Sequence, residues 1–293
     1  MKEEKKIGVL GGDRRMLAAA RRLAEHGECA VWGLDGDFAQ AKNIVRCLGW
    51  ESAVSGSDAV VLPMPAAKDG VKLHAPLSGH DDAPELCEIA RRLKMGAVLF
   101  GGMLPPLVRA AAAEAGAQSV DYQENETFLI LNAAATAEGA LAACIRELPV
   151  TLSETRAVVT GYGRVGRTLA GMLVKHGAKV AVAARSSRDL GWAEADGCVP
   201  IPLSVWRGAP VSCDAVFNTV PARLLDEGAL EKLSGAVYFE LASAPGGAGR
   251  EEAEKKGVKY VPLGGLPGQV APKTAGELIA RVVLEKLGEA ADG

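Results

Sequence analysis

Short apolar runs alternate with helical patterns along nearly the whole chain of 293 residues. The apolar runs predict buried strands, and apolar residues three and four positions apart predict amphipathic helices. In the first half, strands are predicted near residues 6–10, 29–33, 58–62, 96–100 and 117–120, with helices near 14–26, 38–48, 84–93 and 105–115. In the second half, strands are predicted near residues 156–160, 179–183, 199–201, 214–218, 236–240 and 258–261, with helices between most of them. This regular alternation predicts parallel sheets.

Two further helices connect the halves. A long Ala-rich helix is predicted from about Thr127 to Leu148, and a last helix, near Thr274 to Leu287, is expected to pack back on the first domain. We therefore expect an α/β fold with two Rossmann-like, doubly wound parallel-sheet domains, linked by crossover helices and with a cleft between them. The expected bounds are 1–126 with 274–293 for the N-terminal domain, 127–148 for the linking helix and 149–273 for the second domain.

A glycine-rich turn follows the first strand of the second half. Gly161-Tyr-Gly163-Arg-Val-Gly166 matches the pattern Gly-x-Gly-x-x-Gly, with a strand before it, then a helix and another strand. Gly161 permits the tight turn, Gly163 lets the backbone approach a pyrophosphate, and Gly166 lets the helix pack against the sheet. The helix N-terminus presents unpaired N–H groups and a partial positive charge to the phosphates. The sequence thus predicts a dinucleotide-binding domain.

The end of the next strand indicates which dinucleotide binds. NAD-selective sites usually place Asp or Glu about 20 residues after the glycines, where it binds the ribose 2′-hydroxyl. Here the strand runs into Ala184-Arg185-Ser186-Ser187-Arg188, and no acid occurs before Asp189. Guanidinium groups bind phosphate through paired charge-assisted hydrogen bonds, and serine hydroxyls add donors, so the sequence favours NADP. The alternative is a solvated basic loop.

The first half carries a degenerate copy of the same unit. Gly11 aligns with Gly161, and the strand, helix and second strand that follow keep a constant offset from the later copy. In this copy Asp13 replaces the second glycine and Met16 replaces the third. A carboxylate and a bulky side chain at these points argue against a second dinucleotide. The first domain is therefore predicted to bind the substrate.

Composition and charge narrow the class of partner. The net charge of −3 and the pI near 5.9 give no reason to expect nucleic acid or an anionic membrane. The six cysteines are scattered, with no Cys-x-x-Cys and no Cys/His cluster. We expect reduced core thiols in a cytoplasmic protein, and no metal site. The N-terminus does not read as a signal peptide, and the longest apolar stretches are too short or contain charges.

Loops at the carboxyl ends of the strands are the candidates for ligand contact, because ligands of open α/β sheets lie there. Arg15, after the first strand, could hold a carboxylate, although it could equally belong to the solvated face of a helix. The loop Pro262–Gly276 is expected near the nicotinamide; within it Thr274 is a natural N-cap and Lys273 could pair with a substrate carboxylate. The turns after the fourth and fifth strands of the second half are expected to hold the ribose and nicotinamide.

The linking helix carries three more polar candidates. Asn132 and Thr136 are four residues apart and share a face. Glu138 is rotated away from Thr136, so both reach one ligand only if the helix bends or ends there. A buried Glu in an apolar helix needs a reason, and capping or pairing across the domain interface explains it as well as substrate contact does.

The predicted site residues are as follows. For the cofactor they are Gly161, Tyr162, Gly163, Arg164, Val165, Gly166, Arg185, Ser186, Arg188, Thr219, Val220, Pro221, Leu241, Ala242, Leu266 and Pro267. For the substrate they are Gly12, Asp13, Arg15, Asn132, Thr136, Glu138 and Lys273. No catalytic residue is assigned, and Lys273 and Glu138 are the candidates.

Histidine is informative by its placement. D-2-hydroxy acid dehydrogenases share this two-domain plan and use a His in the loop after the last strand as general base. Here His26 and His176 end predicted helices, while His74 and His80 lie in the loop between Asp69 and Asp82. Oxidation of an alcohol is therefore disfavoured.

Five strings of residues carry a resemblance to a known family. They are Gly161-x-Gly163-Arg-Val-Gly166, Leu241-Ala-Ser-Ala-Pro-Gly-Gly247, Leu266-Pro-Gly-x-Val-Ala-Pro-Lys-Thr-Ala-Gly276, Thr136-Ala-Glu-Gly139 and Gly11-Gly12-Asp13. Together, over nearly the whole chain, they resemble the A subunit of dipicolinate synthase. The glycine turn and the last loop resemble, more distantly, alanine dehydrogenase and the formate/glycerate dehydrogenase-like fold. Two places depart from the family pattern: Glu240 stands in place of Asp, and the segment Asn132–Thr136 is smaller.

The resemblance implies a role in endospore formation. It implies that NADP accepts hydride from a dihydrodipicolinate-type intermediate of lysine biosynthesis, and that the partner is the flavoprotein-like B subunit of dipicolinate synthase. The substrate is then a small heterocyclic dicarboxylate, and because its aromatisation is downhill, no strong dedicated base is required. A homodimer is a further assembly that we expect. Two alternatives stay open: a nucleotide-binding scaffold whose partner performs the catalysis, and another amino- or hydroxy-acid dehydrogenase.

Overall fold

The structure, a computed structural model, describes residues 5–38, 41–79 and 82–288. His80 lies outside the described residues. The chain forms two compact units: residues up to 132 together with those from 271 onward, and Ala133–Val270.

The first unit is built on a parallel sheet of six strands, counted among the described residues. Its strands are β1 (Lys5–Leu10), β2 (Gly27–Trp32), β3 (Ile44–Arg46), β4 (Ala59–Val61), β5 (Val98–Gly101) and β6 (Gln118–Asp121). Its helices are α1 (Arg14–Leu23), α2 (Trp50–Val54), α3 (Leu86–Arg91), α4 (Pro106–Glu114), the beginning of α5 (Glu126–Glu147) and α12 (Pro272–Lys286), with a 3-10 turn at Tyr122–Glu124. The strand order is β3-β2-β1-β4-β5-β6.

The second unit repeats this plan. Its strands are β7 (Arg156–Thr160), β8 (Lys179–Ala184), β9 (Val199–Pro202), β10 (Ala215–Asn218), β11 (Val237–Glu240) and β12 (Lys259–Pro262). Its helices are the remainder of α5, then α6 (Arg164–Lys175), α7 (Ser187–Ala195), α8 (Leu203–Gly208), α9 (Glu227–Lys232), α10 (Arg250–Lys255) and α11 (Leu266–Val270), with a 3-10 turn at Leu152–Glu154. The order β9-β8-β7-β10-β11-β12 is that of the first sheet, so both predicted Rossmann-like sheets are confirmed.

Each sheet is buried on both faces, as parallel sheets with helical crossovers are. In the second unit, Val159 and Phe217 point into one apolar cluster and Val158 and Val216 into another. Alternate residues of a strand face opposite sides, so these runs of apolar residues fill the space between the sheet and two helical layers. The carboxyl ends of the strands are thereby fixed in one row at one edge of the sheet.

The last helix packs on the first unit, as the sequence predicts. A side chain added at Gly276 of α12 would come within 2.2 Å of the Arg15 carbonyl oxygen and 2.7 Å of Ala18 Cβ. Glycine at this point therefore lets α12 approach the backbone of α1 directly. Ile279 and Val283, further along α12, are buried in the same core as β1.

The helix predicted near residues 38–48 is wrong. Ile44–Arg46 forms the edge strand β3, paired in parallel with Cys29–Val31 of β2. The backbone N–H of Cys29 bonds to the Asn43 carbonyl at 2.8 Å, and that of Cys47 bonds to the Val31 carbonyl at 2.8 Å. Pairing with a strand distant in sequence overrides the local helical spacing.

The expected long loop after β12 is also wrong. α11 occupies Leu266–Val270, and α12 begins at Pro272 with Ala271 as its N-cap residue. Thr274 therefore lies inside the first turn and is not the cap. Proline is well suited to the first position of a helix because it has no N–H to leave unpaired, and this moves the start of the helix forward.

Two further features of composition have structural counterparts. All six cysteines are free; Cys29, Cys144 and Cys198 are buried.

Among the described residues, α5 is the one helix long and apolar enough to cross a membrane. Length and composition are weak evidence for a membrane span, because the core helices of soluble proteins pass the same test. Of its most apolar window, 44% is buried inside the protein.

Candidate cofactor and substrate sites

The three glycines of the turn after β7 have three different surroundings. Gly161 has φ +85°, and a Cβ there would lie 2.6 Å from Thr219 Oγ1. A Cβ at Gly166 would lie 2.3 Å from the Gly161 carbonyl oxygen, so α6 packs against the turn only without a side chain. A Cβ at Gly163 would meet no protein atom within 4 Å. Packing explains the first and third glycines, whereas Gly163 faces open space.

The N-terminus of α6 has the features of an anion-binding site. Gly163 is the N-cap residue, and no side chain caps this end of the helix. The first N–H groups of a helix have no partner within it, and together with the helix dipole they favour a phosphate. The open space at Gly163 lies directly before these groups. The residues present therefore fit the pyrophosphate of a dinucleotide.

The matching position of the first unit is filled by the protein itself. The Asp13 carboxylate caps α1, accepting the Arg15 N–H at 3.0 Å, and it also accepts from Arg15 Nε at 2.9 Å and from Nη2 at 2.9 Å. Arg15 Nη2 donates in addition to the Met64 carbonyl at 2.6 Å. Burial opposes ionisation of Asp13, yet the contacts with Arg15 hold the pKa of the carboxyl below its usual value. The protein's own carboxylate thus stands where the second unit leaves room for phosphate.

The basic segment after β8 is exposed at Arg185, Ser186 and Arg188. Ser186 is the N-cap of α7, and its hydroxyl accepts the Asp189 N–H at 3.0 Å. Asp189 therefore belongs to the first turn of the helix and does not replace the acid of an NAD-selective strand end. The arrangement presents a guanidinium and a hydroxyl at the strand end that holds the adenosine ribose in dinucleotide-binding folds.

Tyr162 lies inside the glycine turn, but its hydroxyl is already used. It donates to Asp196 at 2.8 Å, and Arg167 Nε donates to the same carboxylate at 3.0 Å. Burial and the Asp196 contact raise the pKa of Tyr162. Only the backbone of Tyr162 is left to serve the predicted cofactor site.

Two loops beside the glycine turn contain further predicted cofactor residues. Thr219 donates its hydroxyl to the Thr160 carbonyl at 2.7 Å, and a Cβ at Gly161 would lie 2.9 Å from Val220 Cγ2, so Val220 borders the turn; Pro221, the next residue, is exposed. Leu241 and Ala242 are half-buried at the end of β11.

The remaining predicted cofactor residues, Leu266 and Pro267, have buried side chains. A Cβ at Gly139 of α5 would lie 3.0 Å from Leu266 Cβ, so Leu266 packs on that helix.

The predicted substrate residues of α5 differ in exposure. Asn132 and Thr136 are half-buried, and both have polar partners. Glu138 is exposed, so its expected burial is wrong. The helix neither ends nor caps at Thr136 but continues to Glu147, which keeps Glu138 on another face.

Lys273 lies on the first turn of α12 in the first unit. Its side chain is 86% exposed, and its amino group stands 3.9 Å from Glu277. Gly12, by contrast, is buried and donates its N–H to the His74 carbonyl at 2.8 Å.

The structure brings His74 to the substrate candidates Gly12, Asp13 and Arg15, a placement that sequence reasoning missed. The His74 carbonyl accepts the N–H of Gly12 in the turn after β1. The His74 ring interacts electrostatically with Lys68, Asp13 and Arg15. Nothing in the local sequence links residue 74 to residue 13. Burial lowers the pKa of His74; Lys68 and Arg15 act in the same direction, and Asp13 opposes them.

We expect the His74 imidazole to titrate with a pKa below its usual value of 6.5. Its contribution to stability is then present above the unfolded-state value and lost as pH falls through the folded one. Proton NMR of the ring measures the midpoint. Lys68→Ala should raise it and Asp13→Asn should lower it, with Lys72→Ala, exposed in the same loop, as control. A midpoint at or above 6.5 would contradict this assignment of charges.

No metal centre is evident in the part of the chain that the structure describes. Among residues 5–38, 41–79 and 82–288, no three His, Cys, Asp or Glu side chains are grouped so as to hold a metal ion.

The fold and the glycine turn define a class: an α/β protein with the two-unit fold of nicotinamide-nucleotide dehydrogenases. Comparison with solved structures agrees. A transhydrogenase from Sinorhizobium meliloti superposes with a TM-score of 0.66 at 16% identity, covering 97% of this chain and 94% of its own. An L-alanine dehydrogenase superposes with a TM-score of 0.61 at 16% identity, covering 96% and 88%. At this identity the likeness shows the fold alone.

The family follows from closer relatives. Residues 6–123 match the family model for the N-terminal domain of the dipicolinate synthase A subunit. The A subunit of dipicolinate synthase from Bacillus subtilis (strain 168) is 31% identical over 286 residues, covering 97% of this chain and 96% of that protein. The crystal structure of the A chain from Bacillus subtilis superposes with a TM-score of 0.85, covering 99% and 97%. The chain belongs to the family of dipicolinate synthase A subunits, which confirms the resemblance seen in its sequence. Membership of a family of synthase subunits implies a partner.

Proposed function

We propose that this chain is the NADP-dependent oxidoreductase subunit of a dipicolinate synthase. It oxidises dihydrodipicolinate, or its hydrated precursor, to dipicolinate during endospore formation, in the cytoplasm and together with a flavoprotein-like B subunit. The observation that carries the proposal is the uncapped N-terminus of α6 with open space at Gly163. The exposed Arg185 at the end of β8 supports NADP over NAD.

The proposed oxidation requires the protein to bind the cofactor and the substrate and to orient them relative to each other. A bound nicotinamide would supply the hydride acceptor for oxidation of a ring carbon of the substrate, with one proton released as the ring becomes aromatic; from the hydrated precursor one water would also leave. The N-terminus of α6 would hold the pyrophosphate, and Arg185 would hold the 2′-phosphate. Positioning alone can lower a barrier by about 7–11 kcal/mol at the favourable extreme.

A dicarboxylate substrate needs cations. Arg15 is already paired with Asp13. A substrate carboxylate that bound to its guanidinium would therefore lie next to the Asp13 carboxylate. Lys68 and Lys273 lie in the same unit as Arg15, and both side chains are exposed. We therefore assign the substrate carboxylates to the first unit, with Lys273 as the predicted partner from the sequence.

The proposal is tested by mixing the purified chain, the B subunit, the substrate and NADP. Absorbance of the reduced nicotinamide should rise, and it should rise far less with NAD. Omitting each protein in turn separates their contributions. If reduced cofactor never forms but the chain binds NADP in calorimetry, without a ternary complex with the dicarboxylate, the chain is a nucleotide-binding scaffold. If it binds no nucleotide at all, the proposal fails.

A further inference from the structure

Three polar side chains form a row across the carboxyl edge of the second sheet. Asn218 of β10 aligns with Thr160 of β7 on one side and with Glu240 of β11 on the other. Thr160 and Asn218 are completely buried, and Glu240 is 7% exposed. Aligned residues of neighbouring parallel strands face the same side, so the three groups are in contact. Buried polar groups at such an edge require partners.

The row is hydrogen-bonded throughout. The Thr160 hydroxyl donates to Asn218 Oδ1 at 2.6 Å, and Asn218 Nδ2 donates to Glu240 Oε1 at 2.6 Å. Asn218 also closes the next turn, because its Oδ1 accepts the Val220 N–H at 3.1 Å and its Nδ2 donates to the Val220 carbonyl at 3.0 Å. One amide therefore joins strand β7, strand β11 and the loop 219–221.

Glu240 holds the neighbouring loop in turn. Its Oε1 accepts the Ala242 N–H at 3.0 Å, and its Oε2 accepts the Gly247 N–H at 2.8 Å. The loop lies close around the carboxyl group: a Cβ at Gly246 would come within 2.7 Å of Oε2, and one at Gly247 within 2.7 Å of Asn218 Nδ2. A single carboxylate thus fixes both ends of the segment 241–247.

The chemistry of this carboxyl group is unusual for a purely structural residue. Burial raises the pKa of Glu240, while the hydrogen bonds from Gly247, Asn218 and Ala242 oppose this. A buried carboxylate is costly, and a neutral side chain could fill the same volume. What a neutral amide side chain cannot do is accept at both of its terminal atoms, from the Asn218 amide of β10 and from two backbone N–H groups of the loop 241–247, since an amide has one oxygen.

We infer that Glu240, through Asn218, is a positioning residue that holds the loops 219–221 and 241–247 in place for the nicotinamide half of the cofactor. The inference rests on the proposed function, because it takes these loops as part of the cofactor site. It goes beyond that proposal by assigning their arrangement to one carboxylate. Glu240 is 7% exposed and both of its carboxylate oxygens accept hydrogen bonds from the protein, so it is taken to act through the loops.

Glu240→Gln keeps the shape and removes one acceptor. We expect NADP to bind about tenfold more weakly, since an N–H donor of the loops loses its partner. Binding of 2′-phospho-ADP-ribose, which lacks the nicotinamide, should change less than about threefold. General destabilisation of the unit would weaken the binding of both ligands alike. A larger loss for NADP than for 2′-phospho-ADP-ribose therefore distinguishes a positioning role from a merely structural one. Glu231→Gln, exposed on α9, is the matched control.

Hydrogen exchange of the cofactor-free protein gives a second readout. The amides of Ala242 and Gly247 should exchange faster in Glu240→Gln, with the strand amides of β7 unchanged. If that variant does not fold, Glu240→Asp serves instead, because it keeps the charge but is too short to reach both amides.

A double-mutant cycle tests the link through Asn218. Asn218→Asp alone sets a second carboxylate against Glu240 and should weaken NADP binding strongly. Adding Glu240→Gln restores a donor between the two positions, so the double variant should bind better than Asn218→Asp alone. Equal affinities of Glu240→Gln and Glu231→Gln for NADP, equal losses for both ligands, or strictly additive effects would overturn the inference. If the unaltered protein binds neither ligand, it is the proposed function that fails.

Discussion

Gly163→Ala is expected to leave the second unit folded and yet to weaken NADP binding by about 100-fold or more, while Gly166→Ala destabilises the unit itself. Gly163 has φ −77° and ψ −165°, which alanine adopts readily, and its Cβ would meet no protein atom within 4 Å. The methyl group would occupy the space that a pyrophosphate needs. At Gly166 the same methyl group would lie 2.3 Å from the Gly161 carbonyl oxygen, at a cost of about 3 kcal/mol.

The measurements are thermal unfolding and calorimetric titration with NADP. Gly171→Ala is the control, because Gly171 lies within α6 and a Cβ there also meets open space. Alanine at an interior helical position should raise stability by about 1 kcal/mol and leave binding unchanged. If Gly163→Ala binds NADP as well as Gly171→Ala does, no phosphate lies at the end of α6.

Arg185→Asp should reverse the preference between the two dinucleotides. Arg185 is exposed directly after β8, and under the proposed function its guanidinium would form two charge-assisted hydrogen bonds with a 2′-phosphate. Their loss, together with the repulsion of the new carboxylate, should weaken NADP binding by about 100-fold. NAD carries a 2′-hydroxyl, which a carboxylate accepts, so NAD binding should hold or improve.

Titrations of both cofactors at one salt concentration measure the ratio of their affinities. Arg250→Asp, on the exposed side of α10, removes the same charge elsewhere in the unit and serves as control. An equal loss of NADP and NAD in Arg185→Asp would show that this guanidinium does not contact the 2′-phosphate.

The site divides into parts that local sequence encodes and parts that it does not. The glycine turn was predictable because three glycines, a strand and a helix within a short segment impose the geometry by themselves. The capping of α1 by Asp13 is equally local, but its pairing with Arg15 was not anticipated, since Arg15 was expected to offer its charge to a substrate. The row Thr160, Asn218 and Glu240 could not be read from the sequence, because its members are far apart along the chain and meet only through strand register.

Where the sequence predictions were wrong, a distant partner was the cause in one case. The segment predicted as a helix near 38–48 contains β3, because its backbone pairs with β2. Thr274 has the residue type of a cap, yet α12 begins two residues earlier, because Pro272 is suited to the first helical position. Glu138 was expected to be buried because its neighbours in the sequence are apolar, but it lies on an exposed face of α5.

Short segments of the chain are enough to specify the alternation of strands and helices, the two Rossmann-like units and the turn suited to a dinucleotide phosphate. Each of these depends on residues that are close together in the chain, where periodicity and backbone freedom are sufficient. Long-range packing was needed to establish which charged side chains are buried and which are exposed, that His74 lies beside Asp13, and that Glu240 is hydrogen-bonded to Asn218 and to the loop 241–247. These depend on strand order and register, which bring distant side chains within hydrogen-bonding distance and which no short segment specifies.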